Sequence, residues 1–254
     1  MTPGYAEFEF DLPGALLEQL VIAFANVPPA QLSPENVAKV DEAQGVYQLL
    51  LNGELVYIGK TDAEKGLRRR LERHARTIRH RKNLNPSDVT FRALRVFVFT
   101  AMDLEAQLIA HYGSTAWQNS GFGSNDPGRN RDDTRLKTGG FDEHYPINVD
   151  QPLEFELAPG PREAAVVLSE LRRNLPYIFR YEGGGRSLQA AHASLRQTIV
   201  TVPAGPLTAR TVLQLVLASL PPDWQATNLC ARVILYKEAR NYTHGVIIGL
   251  SDNT

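Results

Sequence analysis

With 254 residues the chain can form one large domain or two small ones, and its net charge of −1 excludes a protein that is basic overall. Its single cysteine, Cys230, excludes a disulfide framework and a thiolate metal cluster. No apolar run reaches the roughly 18 residues of a membrane span, and Met1 is not followed by a basic and apolar leader, so we expect a cytoplasmic protein without membrane contact.

The first 44 residues predict packing elements without chemistry. Residues 1–12 are irregular or form a short strand at 5–10, and residues 13–25 form a helix whose apolar stripe runs from Leu16 to Phe24. Pro28-Pro29 ends that helix. Residues 26–44 read as a loop with one helical turn, which Ser33 can cap. We therefore assign residues 1–40 to an N-terminal arm.

A β-hairpin is predicted over residues 45–59, because two apolar runs flank Asn52-Gly53. A two-residue turn would place Tyr47 opposite Ile58, which puts Tyr47 and Tyr57 on opposite faces. A three-residue loop, or an extra bulge, would put both tyrosines on one face. Strands favour tyrosine in any case, so both rings can equally be core aromatics.

A basic helix is predicted from about Ala63 to Arg81, directly after Lys60 at the strand exit. Basic residues recur on every side of it, and such a local excess is typical of a surface that contacts phosphates. A charge run is also common on a solvated face. Arg70 and His74 share a face at a spacing of four, but Arg69 and Arg73 have the same spacing. The candidate phosphate contacts on this helix are Arg68, Arg69, Arg73 and Arg76.

Residues 89–100 alternate as a third strand, and residues 103–112 form a second helix. Glu105 lies on the apolar stripe of that helix, with Leu108, Ile109 and Tyr112. An inward carboxylate is costly unless it is paired or binds a metal. Alternatively, Glu105 is only stabilised by the helix dipole.

Beyond residue 150 the chain reads as a further α/β piece. Helices are predicted at 163–174 and 208–220, and strands at 198–202, 232–237 and near 246–250. Gly183-Gly184-Gly185 is the best internal boundary, so we divide the chain into 41–182 and 183–254. No phosphate-binding glycine motif occurs in the second part, whose role the sequence does not reveal.

Two tripeptides, Gly45-Val46-Tyr47 and Tyr57-Ile58-Gly59, resemble the signature of the GIY-YIG nucleases, with Val46 in place of isoleucine. A string over residues 117–132, with Asn125-Asp126-Pro127-Gly128, resembles the type II restriction endonucleases of this family that cut CCGCGG. So does the segment 141–147. The resemblance covers roughly residues 13–182. The chain departs from this group of enzymes in two places: the connection between Tyr57 and Arg70 is short, where members can carry longer inserts, and the last seventy residues have no counterpart.

The resemblance implies a nuclease site and a role for each of its residues. Glu105 would hold one Mg²⁺, with Mn²⁺ able to substitute, and Arg70 would neutralise charge on the scissile phosphate. Tyr47 would take the proton of the attacking water, helped by a nearby cation for which Lys60 or His74 is the candidate. Tyr57 and Asn119, which follows Glu105 by fourteen residues, would position phosphate and water. Candidates for base readout are Arg129, Arg131 and Arg135.

The expected fold class is α+β: a small antiparallel three-stranded sheet flanked by helices, with an additional C-terminal α/β piece. The expected function is a restriction endonuclease acting on double-stranded DNA, with CCGCGG as the target. A palindromic target implies a homodimer. The alternatives are a repair or mobile-element nuclease without strict site specificity, and a non-catalytic DNA-binding module.

Overall fold

The computed structural model describes residues 3–4, 6–62, 64–97, 103–123, 128–132, 136–185 and 187–251, with Arg131 described by its backbone alone. The chain divides into two compact units. The first comprises residues 1–75 and 85–118, and the second comprises residues 76–84 and 119–254. The division predicted at residue 183 stays a prediction. Among the described residues, no helix is both long and apolar enough to span a membrane.

The first unit contains a four-stranded sheet and its helices. Its elements in chain order are α1 (Leu12–Asn26), β1 (Ala30–Gln31), α2 (Pro34–Val37), β2 (Gly45–Leu51), β3 (Glu54–Thr61), α3 (Leu67–Arg79), β4 (Val89–Arg95) and α4 (Leu104–Tyr112). The strand order is β1-β4-β2-β3, with antiparallel pairs throughout. The α+β class is therefore confirmed, but the sheet has a fourth strand, β1, which is too short for a periodic pattern to reveal.

Residues 6–10 form no strand, so the irregular alternative for this stretch is confirmed. Two predicted boundaries in this unit are wrong. Helix α3 begins at Leu67 rather than at residue 63, because Gly66 has a positive φ of 54° that ends the preceding turn. Strand β4 ends at Arg95, which still pairs with Gly45 and whose side chain forms an ion pair with Asp41. The predicted end was residue 100, but residues 96–97 are not in the strand, and residues 98–100 lie outside the described residues.

The sheet of the first unit packs one face against two helices. The buried cluster there contains Leu20 and Phe24 of α1, Leu104 and Leu108 of α4, and Val46 and Ile58 of the hairpin. Because neighbouring strand residues face opposite ways, this packing leaves Tyr47 and Tyr57 for the other face. The orientation of the two tyrosines thus follows from which residues the helices cover.

The second unit is built on a mixed sheet of order β10-β8-β9-β6, in which β6 and β9 are parallel. Its elements in chain order are α5 (Phe141–His144), β5 (Gly160–Glu163), α6 (Ala164–Asn174), β6 (Ile178–Tyr181), α7 (Ala193–Gln197), β7 (Ile199–Val202), α8 (Ala209–Ser219), β8 (Gln225–Asn228), β9 (Arg232–Tyr236) and β10 (Val246–Leu250). The C-terminal α/β piece is therefore confirmed, with three short strands that the sequence did not predict: β5, β6 and β8.

Candidate active site

The hairpin register is set by a two-residue turn combined with a bulge. Leu51 lies opposite Glu54 across Asn52-Gly53, and the register shifts between Leu49 and Leu50. Tyr47 consequently lies opposite Gly59, and Leu49 lies opposite Tyr57. Opposed residues share a face, so both tyrosines point the same way. Neither simple register is correct, and the alternative with an extra bulge is confirmed.

The two glycines of the tripeptides are required by close contacts. A side-chain carbon on Gly59 would overlap the ring of Tyr47, whose Cε1 would lie at 2.8 Å. One on Gly45 would meet the carbonyl oxygen of Leu94, and Leu67 Cδ1 at 2.7 Å. Gly59 therefore lets Tyr47 lie flat across the strand, and Gly45 lets β2 approach both β4 and the start of α3.

Helix α3 presents one buried face, and its basic residues lie outside that face. The buried residues recur at helical spacing: Leu67, Leu71, His74, Ala75 and Ile78. The expectation of basic residues on every side is therefore wrong, because an apolar stripe occupies one side. His74 is the polar member of the stripe, and the stripe directs it into the interior.

Tyr47, Arg70 and His74 form a connected hydrogen-bonded group. Tyr47 Oη lies 2.8 Å from His74 Nε2, and Arg70 Nε–H donates to Tyr47 Oη at 3.2 Å. Arg70 also makes a side-chain hydrogen bond to Tyr57. The rings of Tyr47, Tyr57 and His74 lie with their centroids 5.6 to 6.1 Å apart. Arg70, rather than Arg69, is thus the arginine in register with His74.

Burial fixes the protonation states in this group. It lowers the pKa of His74 well below the usual value, and the positive charges of Arg70 and Arg73 lower it further. Burial likewise raises the pKa of Tyr47, and the opposing effect of Arg70 does not offset it. His74 is therefore neutral and Tyr47 protonated, so the Tyr47 hydroxyl donates to His74 Nε2. The resting site thus does not have the lowered Tyr47 pKa that a nearby cation was expected to produce.

Glu105 sits half-buried in the first turn of α4, beside this group. Burial raises the pKa of its carboxyl, while the charges of Lys60 and Arg70 act in the opposite direction. The carboxylate accepts a hydrogen bond from the backbone N–H of Lys60 in β3, the edge strand of the sheet. The buried stripe of α4 is formed by Leu104 and Leu108, so Glu105 flanks the stripe instead of lying at its centre.

Lys60 is directed away from the tyrosines. It lies opposite Val46, whose side chain packs in the cluster between the sheet and α1 and α4. Its Nζ makes an ion pair of 2.8 Å with Asp103, the residue that caps α4. The structure therefore gives Lys60 a role in fastening β3 to α4, and its catalytic role stays a prediction.

The donor set is compatible with a hard cation that carries most of its own shell. In the described part of the chain there is no group of three or more His, Cys, Asp or Glu side chains arranged to hold a metal. Glu105 is the expected protein ligand, and water and phosphate oxygens would complete the shell. Mg²⁺ binds in this manner, since it keeps several waters and takes one or two carboxylates with substrate phosphates.

A comparison with known protein families matches the segment that carries this site. The family model described as the Eco29kI GIY-YIG domain matches residues 45–143, from the first hairpin glycine to helix α5. This segment is a GIY-YIG domain. It is of the Eco29kI restriction-endonuclease type, so the chain carries a DNA endonuclease domain of the restriction type. No curated protein matches the chain.

Asn119 lies outside the part of the GIY-YIG domain that forms the first unit. It belongs to the second unit, where its side chain is exposed and its φ is 55°. Its carbonyl oxygen accepts from Lys137 Nζ at 3.1 Å. Its part in catalysis stays a prediction.

Four of the arginines predicted to contact DNA have protein partners. Arg68 donates to the Val40 carbonyl at 2.7 Å, and the Arg69 backbone N–H donates to Glu42. Arg76 donates to the Asn174 carbonyl, and Arg129 pairs with Glu182. Arg73 is exposed. The side chain of Arg131 and the whole of Arg135 lie outside the described residues. Their contacts with DNA stay predictions.

Two residues near the site were not found from the sequence. Gln118 is buried, and its Oε1 accepts the backbone N–H of Ile58 at 3.2 Å. The neighbouring Trp117 N–H donates to the carbonyl of Val56 at 2.9 Å. These bonds satisfy the outer edge of β3 next to Tyr57. A glutamine that pairs with a distant backbone leaves no periodic signal in a sequence.

Proposed function

We propose that this protein is a site-specific restriction endonuclease that hydrolyses double-stranded DNA with a single Mg²⁺ at Glu105. The observation that carries the proposal is the hydrogen-bonded group of Tyr47, Arg70 and His74 inside a GIY-YIG domain. A buried core aromatic needs only one partner for its hydroxyl. Tyr47 instead has a fixed cation on one side and a neutral imidazole on the other, which suits proton transfer.

Each side chain of the site has its own proposed role in the hydrolysis. Arg70 presents its guanidinium to the scissile phosphate and stabilises the charge that develops on it. Tyr47 receives the proton of the attacking water as its own proton passes to His74 Nε2. His74 is ready for this role because its lowered pKa keeps the nitrogen unprotonated near neutral pH. Tyr57, which Arg70 also contacts, positions the phosphate.

Glu105 is the proposed metal ligand. When bound there, Mg²⁺ supplies Lewis-acid stabilisation of a phosphate oxygen. The half-buried carboxylate keeps that position next to Arg70, and the Lys60 backbone N–H fixes its orientation. Mn²⁺ has the same preference for oxygen ligands and is expected to substitute.

The restriction-type domain supports a proposal for the target and the assembly. We propose CCGCGG as the first target to test, because the segments 117–132 and 141–147 resemble enzymes that cut it. A palindrome is read by a two-fold dimer in which each protomer cuts one strand. Arg69, Arg73 and Arg76, exposed on α3, are the proposed phosphate contacts.

The test is incubation of the protein with plasmids of known sequence, in Mg²⁺ and in EDTA. Discrete fragments in Mg²⁺ alone are expected, and their ends map the site. A smear would retain the hydrolysis and overturn the site specificity. Intact DNA from plasmids that contain CCGCGG would overturn the proposed target, and intact DNA from every plasmid would overturn the nuclease activity.

A further inference from the structure

One face of the parallel strand pair β6–β9 carries a group of charged and polar side chains, and nothing in the nuclease site accounts for them. Phe179, Tyr181, Val233 and Leu235 point into the main hydrophobic cluster of the second unit. Because strand residues alternate, their neighbours occupy the other face. Glu182 continues the alternation beyond β6, with its N–H bonded to the Leu235 carbonyl at 2.9 Å. The other face therefore carries Arg180, Glu182, Arg232 and Tyr236, together with Ile178 and the buried Ile234.

Asp132 is buried against this face. Its side chain is 4% exposed, and Arg180 Nη1 donates to its two oxygens at 2.9 and 3.0 Å. Arg232 Nε donates to it at 2.6 Å, and the Tyr236 hydroxyl at 3.3 Å. A carboxylate has about four acceptor positions, and all of them are used here. Such a buried ionic cluster is retained only where its geometry is complete.

Arg129 is held by the same face, three residues before Asp132. Its two terminal nitrogens donate to the Glu182 carboxylate at 2.7 and 3.0 Å. Its guanidinium also lies over the Tyr236 ring, 4.1 Å from the centroid. Arg129 to Arg131 form a single 3-10 turn, so the two ends of the segment 129–132 are fastened to β6 and β9.

We infer that Arg129 and Asp132 are positioning residues for DNA sequence readout, anchored by the charged and polar side chains of β6–β9, and that Asn130 between them contacts a base. The inference rests on the proposed site-specific function. Asn130 is exposed. Asparagine pairs with adenine in the major groove. Arg129, in contrast, already uses both terminal nitrogens on Glu182, which assigns it to anchoring instead of readout.

This assignment gives the C-terminal piece a function in the nuclease. Strand β9 lies in the last seventy residues, which have no counterpart in the family resemblance, and it supplies Arg232 and Tyr236. A reading segment that consists of a single 3-10 turn must be fixed by its surroundings to discriminate bases. The parallel pair β6–β9 supplies that rigid support.

The test compares cleavage of two sets of short duplexes by the full-length protein. One set contains a site mapped for the wild type, and the other differs from it by single base pairs. Asp132→Asn and Glu182→Gln are expected to lower the ratio of matched to mismatched kcat/KM by about ten-fold or more, while cleavage of mismatched DNA persists. The matched control is Glu170→Gln, which breaks a similar arginine pair with Arg162 elsewhere in the second unit.

Each outcome decides a different point. If wild type cleaves both sets equally, the proposed site specificity fails, and the inference fails with it. If wild type discriminates and both variants discriminate equally well, only the inference is overturned. Thermal unfolding is measured in parallel. If Asp132→Asn unfolds at the assay temperature, Glu182→Gln decides the outcome, because the pair that it breaks is less buried, with Arg129 52% and Glu182 22% exposed.

Discussion

The Tyr47 hydroxyl connects the two polar partners that α3 supplies. It accepts from Arg70 and donates to His74, and the side chain is fully buried. Both partners come from one turn of a helix, so their separation is fixed by helical geometry. The hydroxyl thus has a single orientation, which is what a proton-transfer group requires.

Replacement of Tyr47 by phenylalanine tests this connection. We expect Tyr47→Phe to lower the single-turnover cleavage rate by about a hundred-fold or more, because the proton acceptor is lost. Folding stability should fall by about 1–3 kcal/mol, because a buried imidazole nitrogen and a guanidinium lose a partner. Rapid-quench cleavage and urea unfolding measure the two effects. Tyr112→Phe, on the exposed end of α4, is the control, and equal rates for both variants would contradict the role.

The buried histidine makes stability depend on pH. Unfolded His74 takes up a proton below about pH 6.5, whereas burial lowers the pKa of the folded form, so acid favours unfolding. Stability should therefore be constant above pH 7 and fall towards pH 5.5, by up to about 1.4 kcal/mol per pH unit from this group. The loss stops only below the folded pKa.

His74→Gln should flatten this slope when urea unfolding is measured between pH 5.5 and 7.5. His80 is also buried with a lowered pKa, so part of the slope should remain. His111→Gln, at an exposed position, is the matched control and should keep the wild-type slope. A wild-type slope in His74→Gln would show that His74 is not the buried neutral group described.

At the scale of elements, the hairpin bulge puts both tyrosines on one face. The turn could be predicted from Asn52-Gly53, because this pair favours the left-handed backbone that both residues adopt. The bulge could not be predicted, because it depends on which residues α1 and α4 cover. The choice of Arg70 over Arg69 depends in the same way on the start of α3 at Leu67.

Gly59→Ala tests the close approach of β3 to the Tyr47 ring. The added carbon would overlap Tyr47, so either the ring or the strand must move. We expect a loss of about 1–3 kcal/mol in stability and a strong loss of activity at temperatures where the variant is folded. Gly53→Asn, in open space at a left-handed turn position, should be nearly neutral. Calorimetry compares them, and equal melting temperatures would contradict this packing.

At the scale of the whole molecule, the sequence predicts the α+β class and the C-terminal α/β piece but not the mixed sheet. Residues 178–181 are too short to be recognised as a strand, and their parallel partner β9 lies more than fifty residues later. Arg180 and Arg232 likewise reach Asp132 only through the fold. Contacts of this kind leave no local pattern.

The proposed homodimer is also a property of the whole molecule. A palindromic target predicts that sedimentation equilibrium with a duplex carrying the mapped site will give two chains per duplex. Both strands should be cut within one binding event. One chain per duplex, with nicked DNA accumulating as the final product, would contradict a dimeric enzyme.

The most direct test of the central claim is the single-turnover cleavage rate of Glu105→Gln in Mg²⁺, with DNA binding measured in parallel. The control is Glu72→Gln, at an exposed position on α3. We expect Glu105→Gln to bind DNA as wild type does and to cleave it at least about a thousand-fold more slowly, because the metal ligand is lost. Glu72→Gln should cleave normally. A Glu105→Gln protein that cleaves at the wild-type rate would contradict the proposed active site.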